Sequence, residues 1–143
     1  MIVVDTSLFV DYLFEGNEER YQKASKILES IEGLTVFEPK VFLVEMMAVS
    51  KRLGINISTS DLEELTADFT FISEDAILRE ALDVAASVHP RAIDSYFIAT
   101  AKVTNSVLLS SDRRMCINAK KYGVEAYYVL EELEEALKVV EAV

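Results

Sequence analysis

Short, continuously apolar runs alternate along the chain with longer stretches whose apolar positions recur every three or four residues. Ile2-Val3-Val4, Leu34 to Phe37, Phe69 to Ile72, Val107 to Leu109 and Ala126 to Leu130 predict five strands. None alternates strictly between apolar and polar. Strands of that kind are expected where a parallel sheet is covered on both faces. Between them, Tyr21, Ala24, Ile27, Leu28 and Ile31 recur at helical spacing. Lys40 to Leu53 is apolar nearly all round and stops before Gly54. Ser60-Asp61-Leu62-Glu63 is a candidate capping box. Ser73 is placed to cap a helix through Val88, with Pro90 ending it and His89 at its end. Ile93 to Val103, Arg114 to Tyr122 and Glu131 to Glu141 complete the helices. The alternation predicts an α/β fold, a three-layer sandwich around a five-stranded parallel sheet. In such folds ligands bind beyond the carboxyl ends of the strands, where the strand order reverses.

Composition narrows the chemistry. The chain has 143 residues with two prolines and four glycines, and it contains no linker-like or repetitive segment, so one domain over 1–143 is expected. Net charge is −11, a field that repels nucleic acid in general. A nucleic-acid role must therefore rest on local basic residues or on bound cations. The single cysteine, Cys116, excludes an intrachain disulfide and a thiolate zinc site, and it suits a reducing cytosol. The single histidine, His89, excludes any mechanism that needs two imidazoles. The apolar start is too short for a signal peptide, and no run is long enough to span a membrane. A cytoplasmic protein is the expectation, and any metal site in it must be built mainly from oxygen ligands.

The common nucleotide-binding and hydrolase signatures of α/β domains are absent: no G-x-x-x-x-G-K-[ST], no G-x-G-x-x-G and no G-x-S-x-G. The carboxylates are placed more tellingly. Asp5 follows the first strand in IVVDTS, and Asp112 follows the fourth in VLLSSD. If the strand order reverses between those strands, the two become neighbours. Glu45 is the only charge in VFLVEMMAVS, with Val41 and Val49 one turn away on either side. Asp94 opens the apolar helix IDSYFIATA. Each acid also has an ordinary reading: a turn or N-cap for Asp5 and Asp112, a helix N-terminus for Asp94, a buried ion pair for Glu45. Together they form a set whose mutual repulsion a divalent cation relieves, and Mg²⁺ or Mn²⁺ suits hard oxygen ligands. Lys40, Arg91 and Arg113 lie close in sequence to these acids and suit a phosphate backbone, although surface charge explains each one too. Asp11 is expected to be solvated, and Cys116 and the methionines to belong to the core.

The motifs IVVDTSLFVDYL, the isolated Glu45, RAIDSYFIATA and VLLSSDRRM, in that order, resemble the PIN-domain ribonucleases and among them the VapC toxins of toxin–antitoxin pairs. The resemblance extends over nearly the whole chain. It implies strand order 3-2-1-4-5 and Mg²⁺- or Mn²⁺-dependent hydrolysis of RNA that leaves 5′-phosphate and 3′-hydroxyl ends. It implies that Asp5, Glu45, Asp94 and Asp112 are catalytic. Asp5, Asp94 and Asp112 then hold metal, and Glu45 helps bind it or orients the attacking water. Ser7 and Ser110 support these acids from behind. Two positions depart from the pattern: Ser110 stands where many relatives have Thr, and Met115 where some carry a further acid. The resemblance also implies a homodimer and a small antitoxin partner, for which the apolar helix around Phe42 to Met47 is a candidate surface. Two rivals stand beside the nuclease reading. One is a catalytically inactive PIN-like module that binds RNA or protein. The other is a phosphoryl-transfer domain with Asp5 as nucleophile, against which DTSLF lacks the second Asp of D-x-D-x-[TV].

Overall fold

The first strand, β1 (Ile2–Val4), has all three side chains fully buried. Successive strand residues point to opposite faces, so both faces of the sheet are covered at its centre. The structure, a computed structural model, describes residues 1–14, 16–88 and 90–143. After β1 come α1 (Thr6–Phe14), α2 (Glu18–Ser30), β2 (Val36–Pro39), α3 (Val41–Arg52), α4 (Thr59–Leu65) and β3 (Phe69–Ile72). Then follow α5 (Glu74–Val88), α6 (Ala92–Thr104), β4 (Val107–Ser110), α7 (Arg113–Lys121), β5 (Ala126–Tyr128) and α8 (Val129–Ala142). The five strands form one all-parallel sheet in the order β3-β2-β1-β4-β5. The order reverses between β1 and β4, as expected. Among the described residues no helix is long and apolar enough to cross a membrane. The expected helix end at His89 lies outside the described residues.

Edge-on aromatic pairs tie the layers together. Phe42 of α3 lies 5.3 Å from Phe9 of α1 and 6.4 Å from Phe97 of α6, centroid to centroid. Phe9 also meets Phe69 of β3 at 5.8 Å. Such contacts are worth about 0.5–1.5 kcal/mol each beyond the area they bury. They hold α1, α3 and α6, the helices that follow or precede the reversal, in fixed relation to the sheet. The start of α3 has a further anchor: Val41 N–H donates to Glu74 Oε1 of α5 at 2.5 Å, so a carboxylate from a distant helix fills the capping position that Lys40 leaves empty.

Several boundaries differ from the sequence expectation, three of them for a visible physical reason. The capping box uses Ser58 rather than Ser60: Ser58 Oγ accepts from Asp61 N–H and Asp61 returns a bond to Ser58 N–H, each at 3.0 Å. The fifth strand stops at Tyr128, because Val129 and Leu130 already form the first turn of α8, which kinks at Glu132. The second strand runs on through Glu38 and Pro39, where the apolar pattern had ended.

Glu38, which the sequence did not single out, is fully buried. Pairing of β1 with β2 is confined to Ile2 opposite Val36, whereas β1 pairs β4 at three positions. Where the β1–β2 ladder would continue, Val4 N–H donates instead to Glu38 Oε1 at 2.8 Å. The carboxyl thus replaces a strand carbonyl. Its Oε2 is buried and has no hydrogen-bond partner among the described residues. Burial holds the Glu38 pKa well above the usual carboxylate range, with the Val4 N–H bond opposing and the Asp5 charge adding to it. Because the folded chain keeps this proton to higher pH than the unfolded chain does, stability falls as pH rises above the ordinary glutamate range. Glu38→Gln keeps an acceptor for Val4 and removes the ionisation, so it is expected to be more stable than wild type at pH 8 in urea unfolding. Glu38→Leu strands the Val4 N–H and is expected to fall below Glu38→Gln by about 1–3 kcal/mol. Equal stability of the two variants would refute the capping role.

Candidate active site

The reversal of strand order brings the ends of β1 and β4 side by side. Asp5 N–H donates to Leu109 O at 2.9 Å, so the residue after β1 is stitched to β4. The Asp5 side chain turns into a hydroxyl pair: Oδ2 accepts from Ser7 Oγ and from Ser110 Oγ, each at 2.7 Å. The two hydroxyls stand 3.2 Å apart. Both also hold the β4–α7 turn, because Ser111 N–H donates to Ser7 Oγ at 3.1 Å and Asp112 N–H to Ser110 Oγ at 2.9 Å. Ser7 and Ser110 thus orient Asp5 and the backbone that carries Asp112.

Asp112 meets both readings offered for it. Its Oδ1 caps α7, accepting from Arg114 N–H at 2.9 Å and Met115 N–H at 3.4 Å. Its Oδ2 faces the other way and accepts from Arg91 Nη2 at 2.9 Å. The same guanidinium donates from Nε to Asp94 Oδ2 at 3.2 Å. Asp94 sits in the first turn of α6 and is buried, while the Arg91 side chain is 75% exposed. Glu45, half-buried on α3, lines a cavity of about 250 Å³ together with Asp5 and Asp112. Asp94 joins this group through Arg91 rather than by lining the cavity.

The basic residues sort differently from the expectation. Arg91 lines the cavity. Arg113 does not: it pairs with Glu131 and lies over the Tyr128 ring at 4.9 Å from its centroid. Lys40 is exposed at the start of α3, outside the lining. Two arginines that the sequence did not single out, Arg20 of α2 and Arg52 of α3, take their places on the cavity wall. Asp11 was expected in solvent and is instead largely buried on the same wall, paired with Arg20 Nε at 3.0 Å. Arg20 also reaches the carbonyl of Ser111 at 3.5 Å. A signal for Asp11 was present in the sequence: it lies four residues after Ser7, on the same helix face. Arg20 and Arg52 carried none, being ordinary basic residues of amphipathic helices. Cys116 is buried as expected, and burial pushes its thiol up to about 12.

Electrostatics here are dominated by desolvation. Burial raises the Asp5 pKa to about 6 from 3.8; the Ser110 and Ser7 hydrogen bonds oppose the rise, and the charges of Asp94 and Glu45 add to it. Asp94 is raised for the same first reason, with Arg91 acting against it. Among the described residues no three His, Cys, Asp or Glu side chains stand in metal-ligand geometry. The donor set nevertheless fits a hard divalent cation. It is all carboxylate, it carries more negative charge than its surroundings neutralise, and one organic cation, the Arg91 guanidinium, already bridges two of its members. Without a metal, the Asp5 charge costs stability. The folded chain holds the Asp5 proton above the unfolded value, so the stabilisation present below about pH 4 is lost as pH rises through about 6, by roughly 3 kcal/mol in full. Asp5→Asn in EDTA is therefore expected to melt above wild type at pH 8, with the gap shrinking as pH is lowered toward 5. A variant that melts at or below wild type at pH 8 contradicts this.

Comparison with known proteins agrees with the geometry. No curated protein matches the sequence. Among solved structures, the crystal structure of PAE2754 from Pyrobaculum aerophilum is similar in fold, with a TM-score of 0.60 and 21% identity over 99% of this chain and 97% of that one. Residues 2–121 match the PIN domain family. That match runs from β1 to the end of α7 and so covers every element that brings an acid to the groove; the chain belongs to the PIN domain family.

Proposed function

We propose that this PIN domain is a metal-dependent endoribonuclease that hydrolyses RNA phosphodiester bonds, with Asp5, Glu45, Asp94 and Asp112 as its catalytic acids. PIN domains are generally nucleases that use divalent metals. The observation that carries the reading for this chain is the gathering of the acids at the ends of β1 and β4 with too little positive charge to balance them. Asp5, Asp94 and Asp112 would hold Mg²⁺ or Mn²⁺. Such a cation, when bound, lowers the pKa of water and offsets charge that develops on phosphate. The chain's own residues do the rest. Ser7 and Ser110 fix the Asp5 carboxylate through Oδ2 and leave Oδ1 for the groove. Glu45, on the cavity wall, would help bind the metal or orient the attacking water. Arg91 contacts the phosphate backbone; Arg20 and Arg52 replace Lys40 and Arg113 in that role, because they are the basic residues on the wall.

A toxin role within a VapC-type pair is the finer proposal, and the order of the four acidic motifs supports it. So does an apolar groove between α3 and α4, where Leu43, Val44 and Met47 meet Leu62 and Val44 is 66% exposed. Phe42 and Met46 are buried and belong to the core side of that helix, so a small antitoxin or a second copy would meet Val44 and Met47. The nuclease reading is tested by cleavage of a labelled RNA pool with Mn²⁺, Mg²⁺ or EDTA. Wild type is expected to cut only with metal. Asp94→Asn is expected to lose at least about 100-fold in rate while keeping its fold by circular dichroism. Metal-independent cutting, or full activity of the variant, contradicts the mechanism. Mn²⁺ binding without any cleavage favours the inactive-module alternative.

A further inference from the structure

Arg91 bridges two of the acids proposed to hold the metal. Its Nε and Nη2 each engage one carboxylate, Asp94 Oδ2 at 3.2 Å and Asp112 Oδ2 at 2.9 Å. A guanidinium keeps oxygens about 3 Å from its nitrogens, whereas Mg²⁺ draws its ligands to about 2.0–2.1 Å. A guanidinium seated between Asp94 and Asp112 therefore competes with an ion for the same two carboxylates.

We infer that Arg91 is a resident cation that exchanges with the metal: it spans Asp94 and Asp112 in the metal-free protein and is expelled when a divalent ion enters. The inference rests on the reading of Asp94 and Asp112 as metal ligands. The exchange is cheap. Arg91 stands at the N-cap of α6 with extended backbone, and its side chain is three-quarters exposed, so the guanidinium swings out on its own stem without moving the helix. Solvent screens both of its ion pairs. A divalent ion would bring twice the charge to the same oxygens. Once expelled, the guanidinium remains on the cavity wall beside Arg20 and Arg52, positioned to take a phosphate oxygen. One residue therefore neutralises the acids before metal arrives and serves the substrate afterwards. As a positioning group it blocks no entrance; it holds two ligands apart until the ion replaces it.

Calorimetric titration of Mn²⁺ into metal-free wild type, Arg91→Gln and Arg91→Lys tests this without any RNA. Competition predicts that Arg91→Gln binds Mn²⁺ about tenfold more tightly. Arg91→Lys, which keeps the charge but lacks the planar fork that engages two carboxylates from separate nitrogens, is also expected to bind more tightly than wild type. In wild type, the Nε–Hε resonance of Arg91, assigned by its loss in Arg91→Gln, is expected to move to the solvent-exposed position as Mg²⁺ saturates. Equal affinity in all three proteins overturns the exchange. So does Arg91→Lys at wild-type affinity beside a tighter Arg91→Gln, since charge alone then explains the gain. An Arg91 resonance unmoved by saturating Mg²⁺ overturns it as well. If none of the three proteins binds Mn²⁺, the ligand reading fails first and the exchange fails with it.

Discussion

Pairing of β1 with β4 is the constraint on which the rest of the site depends. Three residues of each strand run in register, and the bond from Asp5 N–H to Leu109 O extends the pairing one residue beyond β1. Only because of that register do Ser7 and Ser110, 103 residues apart in sequence, come within 3.2 Å and share one oxygen of Asp5. The same hydroxyls then bind the turn that carries Asp112. A slip of one residue would turn Leu108 and Leu109 to the opposite faces and separate the hydroxyls. The buried apolar strand residues thus fix the positions of Asp5 and Asp112 as well as the core.

Like charge is the opposing pressure. Asp5 and Asp94 are buried, their pKa values are raised by desolvation first, and the neighbouring carboxylates add to the rise. Glu38, on the other side of β1, adds another buried acid beneath the site. The fold tolerates this through hydroxyl and N–H donors, through one guanidinium, and through the apolar packing of Phe9, Phe42 and Phe97 around it. Sites that lower stability in this way are expected where function requires the charge.

Much of this was legible in the sequence, for definite reasons. Continuous apolar runs separated by helical periods determine a parallel sheet, and the sheet has the expected order. That Asp5 and Asp112 come together was legible because each directly follows an apolar strand and the strand order reverses between those two strands. What stayed hidden depended on tertiary contact. Glu38 ended the apolar pattern, so β2 was set two residues early; a side chain that replaces a strand carbonyl leaves no periodic trace. Val129 and Leu130 read as strand because they are apolar after a strand, yet they begin α8. Proximity in sequence did not show that Arg113 turns to Glu131 and Tyr128, nor that Arg20 and Arg52 line the cavity from other helices.

The central claim is that these carboxylates are a cation site built by the β1–β4 junction. Anomalous diffraction from crystals grown with Mn²⁺ tests it most directly. The account predicts manganese bound between Asp5, Asp94 and Asp112. Crystals at saturating Mn²⁺ with no ion at those acids, or with manganese held only elsewhere on the surface, would contradict it.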